Sequence, residues 1–98
     1  MRTLLIAAAL FAAAPAVAQA PAFPNRLVLA DAARAPSRPI IIDGAAWRCE
    51  GASCVASGGT NQPAPRACRR VVARLGAVSE FAWKGQALTP EQLAVCNA

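Results

Sequence analysis

The chain has 98 residues, a formal net charge of +5, and neither histidine nor tyrosine. Lacking both, it has no imidazole and no phenol for acid–base catalysis, which leaves carboxylates, lysine and serine as the chemically useful side chains. Much of its apolar content lies in the first twenty positions, and the remaining residues are enough for only one modest core.

Those first positions have the pattern of an export leader. Arg2 supplies a positive start, Leu4 to Ala14 form an apolar run too short to cross a bilayer, and Ala18-Gln19-Ala20 is a small-x-small cleavage site. The expectation is a signal peptide over residues 1–20, with a cut after Ala18 as the nearest alternative. No cysteine follows the cut, which argues against a lipid anchor. No twin arginine precedes the apolar run, which favours export of an unfolded chain. The predicted location is the periplasm or the exterior.

Compartment then decides how the four cysteines are read. An even number of cysteines in a small exported chain implies two disulfides, for which three pairings exist. Zinc held by Cys49 and Cys54 is the alternative at that spacing, but an oxidising destination and the absence of histidine disfavour it. No metal and no cofactor is expected. A thiol-redox motif lacks the Cys-x-x-Cys spacing.

Residues 21–39 are rich in Pro, Ala and Arg and read as a flexible arm, in which only Leu27-Val28-Leu29 suits a short strand. Asp31 to Arg34 suits one helical turn, stopped by Pro36 and Pro39. The folded domain is expected over residues 40–98. Ile40 to Cys49 reads as a strand whose inner face is Ile41, Ala45, Trp47 and Cys49, with Asp43 out of place and Asp43-Gly44 either a bulge or a turn that splits the strand.

Cys49 ending one strand and Cys54 opening the next would close a hairpin with Glu50 to Ser53 as its loop. The two Cβ atoms would then face each other, with Trp47 opposite Ala56. Gly58-Gly59 ends the second strand. Thr60 to Pro63 reads as a helix entrance, and Cys68, Val71, Val72 and Leu75 form one apolar stripe that stops at Gly76. Cys68 therefore points inward. Arg66, Arg70 and Arg74 recur every fourth residue with Arg69 beside them, a column of like charge that forms the candidate anion-binding face.

Ala77 to Trp83 is strand-like, but its imperfect alternation leaves open whether Phe81 and Trp83 or Val78 and Ala82 face the core. Lys84-Gly85 makes a tight turn, after which Gln86 to Leu88 returns alongside. The last element is a helix with Thr89 as cap, Pro90 in first position, Gln92 completing a capping box, and Leu88 with Leu93 as staple. Asn97 reads as its C-cap. Cys96 shares a face with Leu93 and points toward the core, so the preferred pairing is Cys49 with Cys54 and Cys68 with Cys96. The resulting fold class is α+β, a small antiparallel sheet with two short helices in the order β-β-α-β-(β)-α, stapled by two disulfides.

Trp47-x-Cys49-x4-Cys54, a helix carrying Cys68, then Gly76-x-Val78-x-x-Phe81 and a terminal Leu93-x-x-Cys96-Asn97 together resemble an uncharacterised family of small exported disulfide-containing proteins of alphaproteobacteria. The resemblance covers Trp47 to Asn97. It implies export and a compact disulfide domain, and it brings no catalytic residue.

For function, the leading expectation is a non-catalytic binding or structural protein of the cell envelope, not an enzyme. A binder of anionic envelope surfaces through Arg66, Arg69, Arg70 and Arg74 is the second, with lipid head groups, acidic glycan or an acidic protein as partner. Nucleic acid is not an expected partner, because export separates the two and the arginine helix has no interleaved aromatics. Nor is the protein expected to span a membrane. A thiol-redox protein is the third expectation.

Overall fold

The computed structural model describes residues 23–98, so the expected signal peptide lies outside the described residues. The elements are β1 (Asn25–Leu29), β2 (Ile40–Ile42), β3 (Ala45–Glu50), β4 (Ser53–Ala56), α1 (Ala64–Leu75), β5 (Val78–Trp83), β6 (Gln86–Ala87) and α2 (Pro90–Asn97). A short 3-10 turn over Ala32–Arg34 follows β1, capped by Asp31, whose Oδ1 accepts from the Ala33 N–H at 3.0 Å. The strands form one sheet in the order β2-β3-β4-β1-β5-β6, every neighbouring pair antiparallel. This is the expected α+β architecture with both expected disulfides.

The arm is the first correction. Within residues 21–39, read as a flexible arm with a short strand only at Leu27-Val28-Leu29, Asn25–Leu29 forms β1, which sits inside the sheet between β4 and β5. Local composition hid this, because Asn25 is a poor strand former and the flanking prolines suggest a linker. Tertiary pairing on both edges overrides that preference. Because β1 runs antiparallel to both neighbours, β4 and β5 run parallel to each other, and α1 is the crossover that joins them around the inserted strand.

Asn25 marks the start of this inserted strand, fully buried, with both ends of its amide satisfied. Its Nδ2 donates to the Gly58 carbonyl at 2.9 Å and its Oδ1 accepts from the Lys84 N–H at 2.8 Å. One side chain thus ties β1 to the end of β4 and to the β5–β6 turn, and nothing in the local sequence signals it.

A second correction concerns the isoleucines. Asp43 and Gly44, with φ of 49° and 82°, form a two-residue turn of the kind that matches the twist of a hairpin. Ile42 therefore pairs with Ala45 and Ile41 with Ala46. Residues directly opposite share a face, so Ala45 in the core carries Ile42 inward and leaves Ile41 67% exposed. The expected inner face of Ile41, Ala45, Trp47 and Cys49 loses its first member because the turn resets the alternation.

The disulfide hairpin is tighter than expected. Glu50 pairs with Ser53, so the loop is only Gly51 and Ala52, and Cys49 lies opposite Cys54 with Cα atoms 4.0 Å apart. With a two-residue loop, Glu50 and Ser53 form the hydrogen-bonded pair. Cys49 and Cys54 then form the closer non-hydrogen-bonded pair, where a cross-strand bridge fits. Continuing the register puts Trp47 opposite Ala56, as expected.

In β5 the open question is resolved by a bulge. Leu27 pairs with Phe81 and Val28 with Glu80, but Leu29 pairs with Val78, so Ser79 is the extra residue. It lets Val78, Phe81 and Trp83 all reach the core, a spacing that strict alternation forbids. Trp47 stands between Phe81 and Trp83, with ring centroids 6.1 and 6.4 Å away. These rings, Leu27, Leu29, Cys54 and the inner face of α1 (Ala64, Ala67, Cys68, Val71, Leu75) make one core.

Two helix details also differ. The residue before α1 is Pro63, with no side-chain cap, because Thr60 is used elsewhere: its N–H and Oγ1 both donate to the Asp43 carbonyl, at 2.8 and 3.0 Å. Asn97 is the last residue of α2, where it forms a clamp on β5 and not a cap. The Val78 N–H donates to its Oδ1 at 3.0 Å, and its Nδ2 donates to the Val78 carbonyl at 2.7 Å. Val78 is buried, so Asn97→Ala orphans its backbone groups at a cost of roughly 1–3 kcal/mol, read as a lower denaturant midpoint at constant slope. The capping box at Thr89 and Gln92 is formed as expected.

Candidate functional site

The arginine column lies on the outer face of α1. Cys68, Val71 and Leu75 face the core, and helical periodicity turns Arg66, Arg69, Arg70 and Arg74 outward, where all four are exposed. The structure separates one of them from the rest. Arg70 forms a forked contact with Asp43: Nη2 donates to Oδ1 at 3.0 Å, and Nε lies 3.2 Å from Oδ2. Gln62 Nε2 donates to the same carboxylate at 2.9 Å. The Asp43-Gly44 turn is thereby fastened to α1, and the residue that looked out of place in a strand is the counter-charge of the helix. The Asp-Gly dipeptide, a common hairpin turn, was the one local signal for its position.

Hydrogen bonds from Arg70, and next from Gln62, hold the Asp43 carboxyl below its ordinary value of 3.8, and the same contact raises the Arg70 guanidinium. For a depressed carboxyl the stabilisation is complete above its ordinary value and is lost as pH falls through the lowered folded value. Asp43→Asn, which suits the positive φ, is therefore expected to melt below wild type by a constant margin from about pH 5 to 7. That margin closes as pH falls through and below 3.8. Melting curves of both proteins across this range check it.

Arg66, Arg69 and Arg74 have no carboxylate within ion-pair distance among the described residues. Two depressions flank the Arg70–Asp43 pair. One, of about 300 Å³, runs between β2 and α1 and is lined by Ile41, Ile42, Asp43, Arg69, Ala73 and Arg74, with Arg70 at its side. The other, of about 380 Å³, is formed by Asp43 and the segment before α1 with Arg66 and Arg70.

Roomier depressions, about 450 and 490 Å³, lie elsewhere: one includes Arg26, Val55 and Glu80, the other Phe23, Arg38, Arg48 and Glu50. Register explains their mixed character. Arg48, Val55 and Arg26 form one cross-strand row, and Glu50, Ser53, Val28 and Glu80 the next. Adjacent rows of opposite sign select no ligand charge, whereas the α1 face has a single sign once Arg70 is neutralised.

Cys54, Cys68 and Cys96 are each buried, Cys49 is half-buried, and no cysteine among the described residues is free. A thiolate has little access to the Cys68–Cys96 bridge, whose two residues are both buried, whereas Cys49 lines the 490 Å³ depression. Trp47, also fully buried, has an indole N–H with no partner. No described helix is long and apolar enough to cross a membrane.

A family model described as a family of unknown function (DUF8200) matches residues 5–98, and the chain belongs to that family. No curated protein matches the chain, and no solved structure does.

Proposed function

We propose that this member of a family of unknown function is a small exported protein of the cell envelope that works by binding and not by catalysis. The observation that carries the reading is the pair of closed bridges, Cys49–Cys54 and Cys68–Cys96. Such bonds persist in oxidising compartments. The leader pattern over residues 1–20 supplies the route there.

The side chains support a binding role. With no histidine or tyrosine in the chain, acid–base work would fall to carboxylates or to Lys84. Asp43 is engaged by Arg70 and Gln62, and Glu91 sits in the first turn of α2, where a carboxylate favours the helix dipole. The thiol-redox reading rests on Trp47 lying close to the hairpin bridge in sequence, whereas closed bridges in a small exported domain are characteristically structural. A strongly reducing potential for both bridges is the expected measurement.

The test of export and folding together is the intact mass of the full chain expressed in a bacterium with two membranes. The expected product is a periplasmic species beginning after Ala20 or Ala18 with four fewer thiol hydrogens. An unprocessed, reduced species in the cytosol overturns the proposal.

A second reading, favoured by the three unpaired arginines, is that the α1 face binds anionic envelope surfaces. Retention on vesicles containing anionic lipid is then expected to fall with salt. It is also expected to drop in Arg66→Gln/Arg69→Gln/Arg74→Gln, and equal retention of both proteins defeats this reading.

A further inference from the structure

We propose that the outer edge of β2, together with the arginine face of α1, receives an extended acidic segment of a partner protein as an added strand. The inference rests on the proposed binding role and names the partner.

β2 is the terminal strand of the sheet, bonded on one side only, to β3. The two-residue turn at Asp43-Gly44 determines which backbone groups are free. Ile42 and Ala45, flanking the turn, form a hydrogen-bonded pair, so Ile41 and Ala46 form a non-hydrogen-bonded pair. The Ile41 N–H and C=O therefore point away from β3, and no backbone group elsewhere among the described residues bonds them. An edge of this kind is a template for another strand.

Protective devices are sparse on β2 itself: its three residues are all isoleucine, with no lysine, proline or bulge within the strand. Ile41 is one of only two large apolar side chains that remain exposed among the described residues.

Charge selects the occupant. The 300 Å³ groove runs along this edge, and its far wall is Arg69, Ala73 and Arg74 of α1. Arg69 and Arg74 have no acidic partner among the described residues, and the one carboxylate in the groove, Asp43, is already held by Arg70. A strand laid along β2 would thus place its side chains beside two uncompensated guanidinium groups, separated by the small Ala73. Carboxylates on the segment meet that charge, and guanidinium groups bind them with forked geometry. A second copy of this chain fits poorly, because pairing β2 with β2 brings two arginine faces together. A lipid surface or a glycan has no row of backbone amides at strand spacing and so cannot extend the ladder beyond Ile41.

The test is fluorescence anisotropy with three labelled peptides: an extended peptide alternating Glu and Val, the same peptide with alternate backbone nitrogens methylated, and an alternating Lys and Val peptide. The first is expected to bind at least ten-fold more tightly than the other two. Arg69→Gln/Arg74→Gln should weaken it about ten-fold. Ile41→Pro removes the outward N–H at a position whose N–H is not used by β3, so the hairpin is retained and only the added strand suffers. Circular dichroism of that variant confirms the fold, and Ile41→Thr, which keeps the backbone donor and should bind like wild type, is the companion.

Equal binding of the methylated peptide overturns the inference, because charge alone then accounts for the attraction. So does absence of binding by the acidic peptide. If salt-dependent vesicle retention persists in that case, the proposed binding role stands and only the added strand falls. Self-association that Ile41→Pro abolishes also overturns it, by making a second copy the occupant.

Discussion

Cys68→Ala/Cys96→Ala is expected to lose about 3.5 kcal/mol of stability, against about 2 kcal/mol for Cys49→Ala/Cys54→Ala. The difference follows from loop length, since the bridges span sequence separations of 28 and 5. A longer loop removes more freedom from the unfolded chain. For a domain of this size the larger loss lowers the melting temperature by roughly 15–25 °C.

A second effect acts in the native state. α2 has a single fully buried residue, Cys96, and is otherwise held by the half-buried Leu93 and by the Asn97 clamp on Val78. Opening the bridge therefore releases α2 before the sheet. Amide exchange in the double variant is expected to be fast over residues 90–97 while β1 and β4 stay protected. If the hairpin variant loses more stability, or if α2 keeps its protection, the long bridge is not what secures the C-terminus.

Gly59→Ala is expected to cost about 3–5 kcal/mol, combining an unfavourable positive φ with overpacking of the core. Gly59 has a φ of 95°, and a Cβ there would stand 2.5 Å from Cη2 and 2.8 Å from Cζ2 of Trp83, with the Ala45 Cβ at 3.1 Å. The ring has nowhere to go. It is 2% exposed, packed beside the tilted ring of Trp47, and its Nε1 donates to the carbonyl of Thr60, the residue after Gly59, at 3.2 Å.

Gly85→Ala serves as the control, because Gly85 has a φ of 83° and nothing within 4 Å of its Cβ position. It should show the backbone cost alone, about 1–2 kcal/mol. Denaturant melts of the two variants therefore isolate the contact with Trp83. Equal losses would mean that the glycine is required for its backbone conformation and not for the ring.

Legibility of the fold tracked the range of the interactions involved. The capping box of α2, the two-residue turn at Lys84-Gly85, the apolar stripe of α1 and the Cys49–Cys54 bridge all depend on residues whose spacing along the chain carries the geometry, and Cys68 with Cys96 follows as the remaining pair, both facing inward. Each was readable. Asn25, Asn97 and Asp43 were misread or missed because each acts on a partner far away in sequence: Asn25 on Gly58 and Lys84, Asn97 on Val78, Asp43 on Arg70. A short polar side chain has several local roles open to it, and only the arrived partner selects among them.

The candidate site divides in the same way. Periodicity alone placed Arg66, Arg69, Arg70 and Arg74 on one outer face. It gave no sign that Arg70 would be consumed by a carboxylate from the β2–β3 turn, or that the remaining arginines would wall a groove along an open sheet edge.

By itself, the sequence determined the local elements, the inward direction of Cys68 and Cys96, and the basic column, because these follow from the pitch of a helix and the chemistry of caps and turns. Only the tertiary structure decided that residues 25–29 would thread the middle of the sheet, that Ile41 would face outward, and that Ser79 would bulge so Val78 and Phe81 could both reach the core. Strand order and register depend on which distant backbone groups meet across a ladder, and no window along the chain contains both sides of that pairing.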